Sequence, residues 1–546
     1  MTTRRARGYP YVLAAVTALD LILIAADEPK LTGLARLLGY SPDDSSAPWW
    51  TWIAGLRGWA PPEGMFTWEA SWSWIYVASP APLVRWLTFF AIGVAGAIAL
   101  MFIDRWDRVR RSSLKVALAL SVMVVAGWSL ENSAVAIRAP NPFQEVAELV
   151  QNPGFGGYLF CAEHLPRLEE LFSRYVLILS YHPESGHCSQ HPPGGVMLFW
   201  VVMHFLEALP SARLGGLYHL VLSWLRVTPL LSEEPVYLVD FLSALIGGQL
   251  ILLGAASVVV PCFFAANRLA GRAAALRLSA LALVVPSVIL MSPTFDQLFA
   301  TITAWLLVFL LEGLDRRPLL FGALGGLAAA AGLFFSYAFF ILVLPVIAIL
   351  AGRAVQAHWT NDLPEKARVI KVSVMMGLIV GICWLTLWQV AGFDFPGSMK
   401  LATGLHDDFN HRRPYRVWAL LNLVDFIQHL GPPLAMVALI GLFSRGSAQR
   451  VLTANGSPSM TGDLLIEARR ASLLLSLFWA FLLALDLAGW NRGEVARLWI
   501  LIIPLCLFGL FQAIGRGMLG PRTLGTLAAC QFLVCAAMAR YWRNFS

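Results

Sequence analysis

Residues 318–335 read Pro-Leu-Leu-Phe-Gly-Ala-Leu-Gly-Gly-Leu-Ala-Ala-Ala-Ala-Gly-Leu-Phe-Phe, with Arg316 and Arg317 directly before them and no charge inside. A helix needs about 20 mostly apolar residues to cross the hydrocarbon layer, and this run approaches that length. Outward from it, similar apolar stretches cover approximately 11–26, 84–103, 114–130, 194–209, 236–263, 273–291, 297–313, 337–352, 372–392, 430–444, 471–489, 498–515 and 523–538. A soluble chain of 546 residues would hold three or four domains at roughly 150 residues each. Composition rejects that arrangement, because 58% of the residues are hydrophobic and only 13% are charged. An ordinary soluble domain carries about 25% charge, so a water-facing coat cannot be assembled here, and disorder, fibrous repeats and a disulfide scaffold are excluded with it. The reading is an all-α polytopic membrane protein with about 13–15 transmembrane helices.

The net charge of +7 does not point to nucleic acid, since the basic residues sit in short loops between apolar runs. Cytoplasmic loops of membrane proteins carry the Lys and Arg excess. That rule puts the N-terminus, Arg105 to Lys115, Arg268 to Arg277, Lys366 to Lys371 and Arg445 to Arg450 on the cytoplasmic side, in a multi-pass protein of the plasma membrane, taken as a bacterial inner membrane. Arg4, Arg5 and Arg7 before an apolar run imitate a signal peptide, but an uncleaved first helix fits the membrane-embedded remainder better. Strict alternation fails at one place and is repaired by reading 194–231 as a helical hairpin. Polar segments then collect on the external side: Asp27 to Pro82, Glu131 to Pro193, Ser292 to Asp296, Ala391 to Gln428, and Asn491 to Arg497. Three parts are expected: a two-helix addition at 1–112, a transmembrane core at 113–515, and a last helix with its tail at 516–546.

Chemistry-bearing side chains are densest in the segment Tyr181-His182-Pro183-Glu184-Ser185-Gly186-His187-Cys188-Ser189-Gln190-His191-Pro192-Pro193-Gly194-Gly195. The paired prolines lack two backbone donors and the glycines permit close approach, so the segment is a rigid lead into a helix that holds His191 at the bilayer surface. Plain helix punctuation is the alternative. His182, His187, Cys188 and His191, with Cys161, are also readable as ligands of a soft divalent metal, although their spacing matches no standard structural site. No cofactor is expected, and a divalent metal stays open. Cys161 and Cys188 share a loop that would be oxidising if external; free thiols are the expectation and a disulfide the alternative. The other five cysteines lie in or beside apolar runs as small hydrophobes.

The order of Gly157-Tyr158-Leu159-Phe160-Cys161-Ala162-Glu163, an amphipathic stretch from Leu165 to Tyr175, and His191-Pro192-Pro193-Gly194 opening an apolar helix resembles the first large external loop of GT-C fold glycosyltransferases. Ser292-Pro293-Thr294-Phe295-Asp296-Gln297-Leu298 resembles the family's Pro-x-x-Asp turn, and Gly332-Leu333-Phe334-Phe335-Ser336-Tyr337 resembles the helix pair after it. Asn491-Arg492-Gly493-Glu494-Val495-Ala496-Arg497-Leu498-Trp499 is similar to a late motif of uncharacterised bacterial members. The resemblance covers residues 113–515. It implies sugar transfer, hexosyl or pentosyl and inverting, from a polyprenyl-phosphate-linked sugar to an acceptor glycan, lipid or protein at the external face of the lipid bilayer, as in protein O-mannosyltransferases and aminoarabinose transferases. Such enzymes place an acidic residue in the first large loop, where this chain has Cys161-Ala162-Glu163.

Transfer from a lipid phosphate needs a carboxylate to take the acceptor proton and cationic groups to hold the departing phosphate. Glu163 is the candidate base, with Glu184, Glu145, Asp27 and Glu28 as alternatives. His191 is placed beside it to position phosphate or acceptor, supported by Tyr158 and His187. Asp296 either contributes directly or caps the helix that starts at Gln297. Arg492 and Arg497, around Glu494, put two guanidinium groups at the external end of a span, ready for a donor phosphate; snorkelling arginines paired with Glu494 are the plainer reading. Arg413, with His411, Arg412 and Arg416, forms a second external basic cluster. Trp49, Trp50, Trp52, Trp59, Trp68, Trp72, Trp74 and Trp86 read as an interfacial aromatic belt, or less simply as a sugar-stacking platform. The rival function is a transporter or flippase of a lipid-linked or amphipathic solute, for which buried charges at Asp20 and Asp486 would speak.

Overall fold

A computed structural model of the chain describes residues 2–25, 75–76, 82–105, 112–139, 141–152, 157–165, 167–177, 188–225, 235–411, 415–443, 461–492, 495–515 and 521–543. The protein is all-α; a two-residue antiparallel pairing of Ile75–Tyr76 with Trp542–Arg543 is the sole extended pairing among the described residues. Hydrocarbon offers no hydrogen-bond partners, so a chain this apolar closes its backbone bonds within helices. Among the described residues eight helices are long and apolar enough to cross a membrane, or up to ten if each of two sharply bent pairs is one span. The expected 13–15 is reached only by adding shorter apolar helices such as Pro10–Leu21 and Leu83–Ala99. This is a multi-pass membrane protein.

Two expected boundaries move. The span expected at 114–130 runs on as a helix to Arg138, so Glu131, Asn132 and Ser133 are buried in it and do not open the external loop. Asn132 is accommodated because it and Gln249 exchange side-chain hydrogen bonds, at 3.0 and 3.2 Å, with Trp128 Nε1 donating to the same Gln249 oxygen at 2.8 Å, and Ser133 Oγ donates to Leu130 O at 2.7 Å. A hydropathy average sees the polar atoms and misses their partners. The stretch expected as an external loop from Ala391 to Gln428 contains two helices, Phe395–His411 and Tyr415–Leu430. The helical pair expected within 194–231 is found as Gly194–Glu207 and Ser211–Ser223, bent by 115°. At 1.5 Å per residue each arm falls well short of the roughly 30 Å hydrocarbon layer, and a bend beyond a right angle turns the chain back, as in a re-entrant hairpin.

The chain clusters into two compact units, and their limits differ from the expected cuts at 112 and 515. One unit comprises Met1–Ala126, Ala265–Met291 and Asp408–Phe545; the other comprises Gly127–Phe264 and Ser292–Asp407. In the first, helices Asn422–Leu430 and Pro432–Leu442 meet at a 100° bend. Gly431 sits there at φ +93°, with the Gln531 side chain occupying the space a Cβ would take. Leu434 N–H bonds Gly431 O instead of continuing the helical ladder, and the freed Leu430 carbonyl accepts from Gln531 Nε2 at 2.6 Å. Pro432, which has no N–H, completes the break. Trp86, the one member of the tryptophan group within the described residues, donates from Nε1 to Ala536 O at 2.7 Å.

In the second unit, Pro318–Phe335 packs along Leu363–Gln389. Gly322 and Gly326, four residues apart, share one face; a Cβ on Gly326 would lie 2.8 Å from both Met376 O and Ile379 Cβ. Small residues at this spacing let helix backbones approach, as lipid-embedded helices require. Near the end of this helix group that carries Lys366 and Lys371, Arg353 reaches Asp315 at 2.7 Å and Glu365 at 2.5 Å, while Arg368 holds Glu365 at 3.0 Å. Arg353 and Glu365 are buried, so the cluster ties three helices where water screens weakly. Arg353→Ala removes the buried cation shared by Asp315 and Glu365, leaving Glu365 to Arg368, and is expected to cost about 3–5 kcal/mol, read as a lower thermal unfolding temperature and a smaller folded fraction in detergent. A variant as stable as the parent would show the cluster to be a surface feature.

Candidate functional site

The second unit assembles the Tyr158 and His191 segments. Gly157, at φ +68°, turns the chain into the short helix Tyr158–Glu163, and its carbonyl accepts from Cys161 N–H at 2.9 Å. Cys188–Gln190 forms a single 3-10 turn, after which His191-Pro192-Pro193 leads into the helix beginning at Gly194. Neither proline carries an N–H, so the first turn has fewer orphan donors to satisfy. The Tyr175 hydroxyl donates to His191 O at 2.9 Å, and the Tyr158 ring lies edge-on to His191 at 5.8 Å and to Phe295 at 4.7 Å.

Both glycines of the segment are required by close packing. A Cβ on Gly194 would collide with the Phe334 carbonyl, and one on Gly195 would stand 2.6 Å from the Tyr158 ring. Trp200 Nε1, two turns along, donates to Leu165 O at 2.7 Å and fastens the same helix to the end of the Tyr158 segment. The structure therefore joins four stretches singled out separately in the sequence: Tyr158 to Glu163, His191 to Gly195, Ser292 to Leu298 through Phe295, and Gly332 to Tyr337 through Phe334.

Glu163 ends the short helix with its side chain exposed. Protein packed around it nevertheless pushes its pKa up to about 7, burial contributing most and the like charge of Asp240 adding to it. Residual solvent at an exposed carboxylate screens such effects, so the shift is a statement about ionisation and not about stability. His164 beside it is exposed, with Nδ1 on Phe160 O at 2.7 Å. Asp296 is buried and is not the helix cap: Phe295 occupies that position, and Asp296 lies in the first turn of Asp296–Asp315, where the helix dipole favours a negative charge. Glu145, an alternative base, occupies the first turn of Pro142–Gln151, a helix capped by the Asn141 side chain. Glu184, Asp27 and Glu28 lie outside the described residues, as do His182 and His187.

Arg492 and Arg497 belong to the other unit. Arg492 donates from Nη1 to Asn410 O at 3.0 Å and from Nε to Gly489 O at 3.3 Å, and stacks over Tyr415 at 5.7 Å. Gly489, at φ +63°, leaves the space the Tyr415 ring fills. These contacts make Arg492 a brace for the turn after Ala488. Arg497 is only 7% exposed, which does not describe a snorkelling anchor whose head reaches water. Arg413 and Glu494 lie outside the described residues, as do Arg412 and the side chains of His411 and Arg416.

Sequence reasoning missed the polar side of helix Tyr415–Leu430. Asp425 accepts from Ala496 N–H at 3.1 Å and pairs with His429 at 3.1 Å, and Asn422 Nδ2 donates to Asn491 O at 2.8 Å. All three are about 1% exposed. Their spacing of three and four residues was the available signal, hidden because the stretch reads as a loop. Among the described residues no group of three or more His, Cys, Asp or Glu is arranged to hold a metal ion.

Comparison with protein-family models, with curated proteins and with solved structures finds no match. Function therefore has to be argued from the site.

If the Gly195 contact sets the position of Tyr158, Gly195→Ala should destabilise the protein by roughly 1–3 kcal/mol through overpacking. Adding Tyr158→Leu should restore part of that loss, giving a non-additive double-mutant cycle by thermal unfolding. Strict additivity would disprove the direct contact.

Proposed function

We propose that the protein is a membrane glycosyltransferase of GT-C type, moving a sugar from a polyprenyl-phosphate carrier to an acceptor glycan, lipid or protein at the external face of a bacterial plasma membrane, with its N-terminus cytoplasmic. The observation that carries the reading is Glu163, an accessible carboxylate with a pKa near neutrality, on a short helix locked to the lead of a membrane helix. A general base works best when its pKa lies near the working pH, because it is then both ionised and able to hold a proton. Glu163 takes the acceptor hydroxyl proton as the sugar's anomeric carbon leaves phosphate, and His191 orients one of the two substrates. The resemblance of the His191-Pro192-Pro193-Gly194 segment supports the same reading. The reaction as written requires no cofactor.

Glu163→Gln keeps the shape of the side chain and removes its basicity. Sugar transfer from a lipid-linked donor should fall about 100 to 10,000-fold in that variant with folded yield unchanged. Parental turnover would remove Glu163 as the base.

The pH profile follows from the same group. With its pKa raised, Glu163 loses the active carboxylate form on the acid side, so kcat/KM should fall as pH drops through about 7. Asp240→Asn removes the like charge and should move that limb to lower pH. A profile indifferent to Asp240 would leave burial as the sole cause of the shift.

Transport of a lipid-linked or amphipathic solute is the second reading, favoured by Asp20 and Asp486, both buried in apolar helices. Helix Tyr415–Leu430 supplies an amide to each: Gln428 at 3.4 Å to Asp20, and Asn422 to Asp486. Both acids fall in the last two turns of their helices, away from mid-helix, where a charge most strongly marks a pathway.

A further inference from the structure

His191 opens the lead into the Gly194 helix, and both polar groups of its own backbone are engaged. Its N–H donates to Cys188 O at 3.1 Å, and its carbonyl accepts from the Tyr175 hydroxyl at 2.9 Å. The two prolines that follow have a fixed φ and no N–H, so no backbone donor comes after that of His191 until Gly194. Tyr175 lies two residues past the short helix Leu168–Ser173, is 1% exposed, and stands in the same apolar cluster as Tyr158 and Phe199. Its ring packs on Phe393 at 5.9 Å. A Cβ on Gly392, at φ +73°, would stand 3.4 Å from Ser173 Cβ, so the turn that carries Phe393 lies against the chain just before Tyr175.

Resting on the role given to His191 above, we propose that Tyr175 is a positioning residue of the same reaction: its hydroxyl holds the His191 carbonyl and so sets where the imidazole stands. A hydroxyl has one proton to donate. His191 O is its nearer acceptor, at 2.9 Å against 3.4 Å for Cys188 O, and Cys188 O already receives the His191 N–H. Burial, with Cys188 adding to it, pushes the Tyr175 phenol well above its ordinary pKa, so it remains a donor at any working pH. The imidazole turns about side-chain bonds that start from the Cα fixed by these contacts, and the Tyr158 ring, edge-on at 5.8 Å, stands beside it.

A residue that only filled the cluster would need no oxygen. Phenylalanine buries the same ring without a polar atom, and a hydroxyl in an apolar cluster is costly unless it is hydrogen-bonded. The oxygen is thus accounted for by the backbone it holds. At 1% exposure it is closed to substrate, so its effect on the reaction passes through His191. Displacing an orienting group by about 1 Å costs up to about 100-fold in rate, which makes a single buried hydrogen bond consequential at this place.

The test uses the full-length protein in lipid nanodiscs with isotope-labelled histidine, the His191 ring resonances being assigned among the 10 histidines by their loss in His191→Gln. Tyr175→Phe keeps the ring against Phe393 and removes one oxygen; it should shift the His191 ring resonances with folded yield unchanged. Leu171→Ala, which empties volume from the same cluster, should lower the unfolding temperature and leave those resonances in place. His191 resonances that stay put in Tyr175→Phe overturn the proposal, as do resonances that move equally in Leu171→Ala. In native membranes, Tyr175→Phe should slow consumption of a polyprenyl-phosphate-linked mannose probe about 10 to 100-fold per folded molecule, and should slow it no further in the His191→Gln background. Equal losses in both backgrounds would make Tyr175 independent of His191 and also overturn the proposal. A parent that consumes no probe counts against the proposed donor, and the ring resonances then decide the positioning by themselves.

Discussion

In a hydrocarbon medium a polar group finds no water, so each one a membrane helix carries must meet a partner from its own protein. Much of what is specific in this fold follows from that requirement. Asn132 is tolerable inside a span because Gln249 faces it with the complementary amide edge. The Leu430 carbonyl, released from its helix by the break at Gly431 and Pro432, is taken by Gln531. Arg353 is accommodated in a buried position with Asp315 and Glu365 fixed beside it.

Close approach is the second demand, since apolar side chains gain little by leaving lipid for one another and contact itself must supply the attraction. Glycine serves it in two ways here. At Gly322 and Gly326 it allows one helix backbone to lie on another. At Gly194 and Gly195 it lets the start of a helix sit under a carbonyl and an aromatic ring, which turns a Pro-Pro-Gly-Gly string into a rigid mount for His191. The glycines and the prolines do different work: the former remove bulk, the latter remove donors.

The proposed base sits where these demands relax. Glu163 lies at the rim of a packed cluster, near enough to protein to have its ionisation shifted and exposed enough to meet a substrate. Asp425 and His429 illustrate the opposite case, a carboxyl–imidazole pair with almost no exposure, whose Asp425 accepts from the Ala496 N–H. Burial alone does not identify a reactive group; access combined with perturbation does.

The apolar runs determined by themselves that the chain is helical and repeatedly crosses a membrane, because length and hydropathy are local properties of consecutive residues. The 318–335 helix matches its sequence limits to the residue. The segments Tyr158 to Glu163 and His191 to Gly195 were also legible, their density of polar, aromatic and conformationally special residues being local as well. Only the tertiary structure decided that Glu131 to Ser133 belong to a span, that Asp296 is not a cap, and that Arg492 is committed to backbone carbonyls. Each of those outcomes depends on a partner dozens of residues away or on backbone geometry, and spacing along a chain does not encode which distant atom will supply a hydrogen bond, a charge or the space beside a glycine.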